Sequence, residues 1–283
     1  MTMYSNFSKF ILGVLLASIT FSCIKKKYIT DKPTSNKSLK DTSSPQSKSD
    51  YILEKLRAFV DATIEADIRA TKARTNATVA TASAKPNISD APAFSIFIYF
   101  CDSYSTREIT NSTKATIAKV SEARKATEIA EDKINTSKIA IAAAKIAAYT
   151  AHDTYKVESN TKEIESKIAI AKISIDKAAV AVDSAIIAVN NAVITSKIAC
   201  ADVETAFTSA KVDINSSKAD PSVKTTTNDY IKSYINTAKG IIVANKATLL
   251  TSEATKSTIK NAQINMRYIQ NAFAKKKARF KTT

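Results

Sequence analysis

Three cysteines and one histidine are the side chains of this chain best able to do covalent or metal chemistry, and they are widely scattered. Cys23, Cys101 and Cys200 stand far apart, and the sole histidine, His152, has no second histidine to share a metal with. A His/Cys site needs its ligands grouped, so no metal is expected. His152 reads as a lone, solvent-facing residue near a helix end. Carboxylates recur near lysines along helix faces, as Glu163 does with Lys167. That spacing suits surface ion pairs better than a general acid and base. With only Gly13 and Gly240, there is no glycine-rich phosphate loop and no nucleophile elbow. No catalytic residue and no cofactor are expected, and the chain does not read as an enzyme. Cys200 falls on an apolar helical stripe, which predicts a buried free thiol. A disulfide to Cys101 is the alternative, and it depends on a Cα separation that spacing alone leaves open.

Charge offers a different chemistry. The chain carries 42 Lys and Arg against 26 Asp and Glu, a formal charge of +16. Such a surface favours polyanions. The densest run is Lys275, Lys276, Lys277, Arg279 and Lys281, five cations within seven residues. It is the candidate polyanion-binding site; the plainer reading is a set of cations suited to the end of a helix dipole. Nucleic acid would fit the charge but conflicts with the export signal described below, so no nucleic acid is expected. A second unusual stretch, 93–101, holds Phe94, Phe97, Tyr99 and Phe100 in a chain that is only 7% aromatic. It is too short to span a bilayer. It reads as a hydrophobic plug on one end of the fold or, alternatively, as an exposed apolar contact for a partner or membrane.

Residues 1–22 read as an export signal. Lys9 is followed by the apolar run from Phe10 to Ala17, then by Ser18-Ile19-Thr20-Phe21-Ser22 before Cys23. This resembles a bacterial lipoprotein signal, although Thr20 and Phe21 replace the more usual Leu and Ala or Ser. The resemblance implies cleavage before Cys23, acylation of its sulfur and amine, and membrane attachment by those chains. Residues 23–49 are rich in Lys, Ser, Thr, Asp, Asn and Pro. Little there can be buried to offset the entropy of ordering, so a disordered tether is expected.

From residue 50 onward the pattern is helical. Between Thr161 and Ile214, steps of three and four residues meet Ile164, Ile168, Ala171, Ile175, Ala178, Val182, Ile186, Val189, Val193, Ser196, Cys200, Val203, Phe207, Ala210 and Ile214. All but Ser196 are apolar. Beside them runs an all-alanine column at seven-residue spacing, from Ala171 to Ala206, small enough for a neighbouring helix to approach closely. A second stripe runs from Val120 to Ala148. A third follows i, i+4 steps through Ile52, Leu56, Val60, Ile64 and Ile68. The last passes Ile231, Ile235, Ala238, Ile242 and Leu249 to Phe273. Asp50, Ser105 or Thr106, Asn160 and the 225–229 segment are the expected N-caps. The expectation is an all-α protein: an elongated bundle of about four long helices, near 50–83, 105–158, 161–215 and 229–280, after the disordered N-terminal tether.

The loose lipobox, the Lys/Ser/Asn-rich tether and helices such as 137–149 and 176–182 resemble the outer surface lipoproteins of Borrelia-type spirochaetes. That resemblance implies a protein on the bacterial outer membrane, displayed at the surface, and acting as an adhesin or immune-evasion factor. It implies host partners such as an extracellular-matrix component, a glycosaminoglycan or a serum protein. The alternative is a structural coat, or a spacer on the periplasmic face, with no specific ligand.

Overall fold

The computed structural model describes residues 45–84, 99–158 and 160–280. The expected signal, Cys23, the tether up to residue 44, Phe94, Phe97 and Lys281 lie outside the described residues. Four long helices carry the fold: α1 (Pro45–Ala84), α2 (Arg107–Val157), α3 (Thr161–Ser216) and α4 (Pro221–Phe280). A further short helical stretch covers 99–104, and no strand occurs among the described residues. At 1.5 Å per residue, the 56 residues of α3 extend about 84 Å. The protein is all-α.

The helix boundaries follow from local hydrogen bonding. The Asn160 side chain accepts from the Lys162 amide at 3.1 Å, while the Asn160 amide donates to Glu158 Oε1 at 2.8 Å, so the chain reverses in three residues. Thr106, and not Ser105, caps α2, its hydroxyl accepting from the Ile109 amide. Two starts come earlier than expected. α1 begins at Pro45, which leaves Asp50 inside the helix and turns 45–49 from tether into its first turn. α4 begins at Pro221 instead of 229. Proline is preorganised for the first helical position, where its missing N–H costs nothing. Asp220 completes the second case by accepting from the Ser222 amide at 2.8 Å and hydroxyl at 2.6 Å. Those two hydrogen bonds hold its carboxyl below the ordinary carboxylate range. Lys224 closes the preceding end, its Nζ donating to the Asn215 and Ser217 carbonyls at 2.8 Å each.

Each helix packs on two neighbours, in the cycle α1–α2–α3–α4–α1, and all four contacts are antiparallel. Between α1 and α2, Asp67 meets Lys145 and Thr78 meets Glu131. Lys119 meets Asp202 between α2 and α3. Glu165, Asp183 and Glu204 of α3 meet Lys277, Lys256 and Lys239 of α4. Asn76 of α1 bonds Thr251 of α4 at 3.0 Å. This is an up-down-up-down ring.

The expected α3 stripe is buried throughout, except that Ile186 is half-buried, and its alanine column is buried from Ala171 to Ala206. The α2 stripe is buried as well. In α1 the expectation fails at its end: Ile64 is half-buried and Ile68 exposed. Each i, i+4 step overshoots a full turn by about 40°, so a run of four such steps leaves the core face. The true inward face continues through Thr63, Ala66, Ala70, Ala73, Ala77 and Ala80. In α4 the middle of the inward face is polar, with Asn245, Thr248, Ser252 and Thr255 buried. α1 does not reach the α2–α3–α4 layer around Phe207 and Ile214. There the 99–104 stretch packs instead, with Cys101 in the same cluster as Phe207, Ile214 and Tyr234. The Thr110 hydroxyl anchors it by donating to the Cys101 carbonyl at 3.0 Å.

Candidate polyanion-binding face

The positive charge is concentrated on α4. That helix holds eleven Lys and Arg against Asp229 and Glu253, a net +9, whereas α3 holds six against seven, a net −1. The buried face of α4 alternates steps of three and four from Ile231 to Phe273, a seven-residue repeat. Any other column at seven-residue spacing therefore keeps a fixed angle to the core. Lys232, Lys239, Lys246, Lys260 and Arg267 form such a column, all exposed, interrupted once by Glu253. It rises about 10 Å per repeat and spans roughly 50 Å.

Acids of α3 balance part of this charge. Lys239 pairs with Glu204 at 2.6 Å, Lys256 with Asp183 at 2.7 Å and Lys277 with Glu165 at 2.5 Å. Lys239 is held protonated more firmly by its hydrogen bond to Glu204. Arg267 lies near Asp176, whose carboxyl is already engaged by Lys172 at 2.7 Å and Gln263 at 2.9 Å. Lys232, Lys246 and Lys260 have no ion-pair partner among the described residues. These exposed pairs are worth little each, so a polyanion can exchange for the α3 carboxylates at small cost.

The candidate tail continues this helix. Lys275, Lys276, Lys277 and Arg279 are helical, with Lys275 exposed and Lys276 above the Tyr155 ring at 5.3 Å from its centroid. Lys277 is tied to Glu165, so this run is stitched to α2 and α3. Of the aromatic candidates, Tyr99 is 65% exposed, while Phe100 is half-buried against the cluster around Phe207. The two rings lie 6.0 Å apart, Tyr99 on the solvent side and Phe100 against the bundle end.

His152 is not solvent-facing as expected. Its side chain is only 13% exposed, and its Nδ1 lies 2.9 Å from Asp153 Oδ1. Among the described residues no group of three His, Cys, Asp or Glu is placed to hold a metal. Cys101 and Cys200 are both free and buried. Burial pushes the Cys101 thiol up to about 12, and burial raises Cys200 too. The chain matches no protein-family model, no curated protein and no solved structure.

The basic column was missed in the sequence because it is not a run. Its cations are seven residues apart, and a scan for local density finds Lys275–Lys277 instead. Reading every seventh position for charge, as for apolar residues, would have found it.

Proposed function

We propose that this chain is a lipid-anchored bacterial surface protein of the Borrelia-type spirochaetal kind, whose helical body binds a polyanionic host molecule, with a sulfated glycosaminoglycan as the favoured class. The single observation that carries the binding half is the net +9 on α4, five of whose eleven cations stand in a column at seven-residue spacing along one flank of the helix. A linear polyanion lying along such a column meets several cations at once without bending. The affinity rests on many weak, screened contacts, so it falls steeply with salt. Lys275, Lys276, Lys277 and Arg279 add four cations at the end of the same helix, distributed around it. The anchor half rests on the resemblance of residues 1–23 to a lipoprotein signal, with Cys23 as the acylated residue and a membrane as the second partner.

Retention of the body on immobilised heparin tests the binding half. The body is expected to bind at low salt and elute as salt rises, with no retention on an uncharged polysaccharide resin. Flow-through on heparin at low salt would defeat the proposal. Mass spectrometry of the mature protein tests the anchor: an acylated N-terminal Cys23 is expected, and an unmodified Cys23 would rule the anchor out.

A further inference from the structure

α3 is apolar on two opposite sides. It is long and apolar enough to cross a membrane, yet only 33% of its most apolar 18-residue window is buried in the bundle. The rest includes a second column. Ile173, Val180, Ile187 and Ile194 stand seven residues apart and are 54%, 71%, 63% and 54% exposed. Each lies about 200° around the helix from buried residues two positions away, such as Ala171, Ala178, Ala185 and Ala192. Ile170 and Ile198 stand at the two ends of the column beside it.

From this geometry we infer that the outer face of α3 is a self-association surface, on which a second copy of this chain packs α3 against α3. Area is the first argument. The exposed column amounts to something on the order of 500 Å², at the upper end for a monomer's largest apolar patch. Two copies together then bury about 1,000 Å², the size at which specific interfaces begin. Charge is the second. Copies of a basic body repel one another, and most strongly through α4. Along α3, six cations face seven acids, so the apolar column lies on the helix where two copies approach without that penalty. Beside the column, Lys172 pairs with Asp176 at 2.7 Å and Asp183 with Lys256 at 2.7 Å, which leaves Lys177 as the cation between Ile173 and Val180. Spacing is the third. Residues at every seventh position return to one side of a helix and form one of the two columns of a two-helix seam, with Ile170, Lys177, Ser184, Asn191 and Ile198 as the other. A two-fold contact presents the same column from both sides. In that other column Ser184 and Asn191 are small polar residues that let a second helix approach, and Lys177 is the one cation. A bilayer is the poorer occupant. The opposite side of α3 is packed against α2 and α4, so lipid could surround the helix only by dismantling the bundle.

Ser44–Thr283 is one compact unit that holds all four helices, and it is the form to test. Light scattering from micromolar to several hundred micromolar protein should give a mass that rises to that of a dimer. Val180→Lys combined with Ile187→Lys should return it to the monomer mass, about a twofold fall, with an unchanged helical circular dichroism spectrum. A second variant guards against loss of folding. Ser184→Cys, exposed midway between Val180 and Ile187, should oxidise to a covalent dimer in high yield, while Ser257→Cys on the exposed side of α4 should not. A monomer at every concentration, a dimer that survives the double lysine variant, or equal cross-linking of the two cysteine variants would overturn the inference. So would a monomer that binds neutral phosphatidylcholine vesicles through Val180 and Ile187, which would assign the face to lipid.

Discussion

The side-chain amide of Asn245 on α4 donates to the Thr127 hydroxyl of α2 at 3.0 Å, across the diagonal of the helix ring. It also reaches Ser196 of α3 at 3.3 Å, and all three residues are buried. Thr127 donates in turn to the Ala123 carbonyl at 2.9 Å, which leaves its lone pairs free to accept from Asn245. One amide thus fixes the relative height of three helices whose alanine-rich faces would otherwise slide with little cost. A buried asparagine in a helical seam sets register in this way.

Replacing Asn245 by Ala should cost about 2 kcal/mol, from two lost hydrogen bonds and the space left behind. Asn245→Leu should cost less, because it refills the space, but should lose uniqueness of packing. Urea unfolding measures the first effect, and dispersion of side-chain resonances the second. An alanine variant as stable as the parent would contradict this role.

Gly240 is exposed in the interior of α4, and a Cβ added there meets no atom within 4 Å. Alanine removes backbone freedom from the unfolded chain without a clash. Gly240→Ala should stabilise the bundle by about 1 kcal/mol. A thermal melt reads this as a higher midpoint, and a lower one would show that the helix needs the glycine.

The long apolar seams were legible in the sequence because nothing interrupts them. Ile164 to Ile214 read as one helix face, and the seven-residue alanine column from Ala171 marked where neighbours come close. The helix break at Asn160 was legible from its side chain. What failed had physical causes. Ile68 lies off the core because i, i+4 steps drift, and Asn245, Thr248 and Ser252 carry no apolar signal by which a stripe could include them. They are buried because their side chains find acceptors within the bundle: Thr248 and Ser252 donate to the carbonyls four residues before them. The α4 cation column was hidden by its spacing, while the outer α3 column was hidden because its residues alternate in sequence with those of a longer seam on the opposite side.

The Cys101 thiol, wholly buried and raised to about 12 by that burial, should be unreactive in the native protein. A thiol reagent at pH 8 should label neither Cys101 nor Cys200 until the chain is unfolded. Linkage adds a pH effect. The unfolded thiol ionises near pH 9 and the folded one near 12, so between those values the unfolded state binds fewer protons and stability falls as pH rises. Cys101→Ala should flatten that decline. Rapid labelling of folded protein, or an unaltered slope in the variant, would contradict the burial of this group.

In the proposed binding mode the polyanion lies along α4 and is not held by the terminal cations alone. This mode is tested by heparin elution of three forms of Ser44–Thr283: the parent, a version ending at Ala274, and the triple variant Lys232→Gln, Lys246→Gln and Lys260→Gln. All three replaced side chains are exposed, so folding should be unaffected. The triple variant should elute at clearly lower salt than the parent, and the truncated form should fall between them. Elution of the triple variant with the parent, while truncation alone abolishes retention, would contradict the claim and return the site to Lys275, Lys276, Lys277 and Arg279.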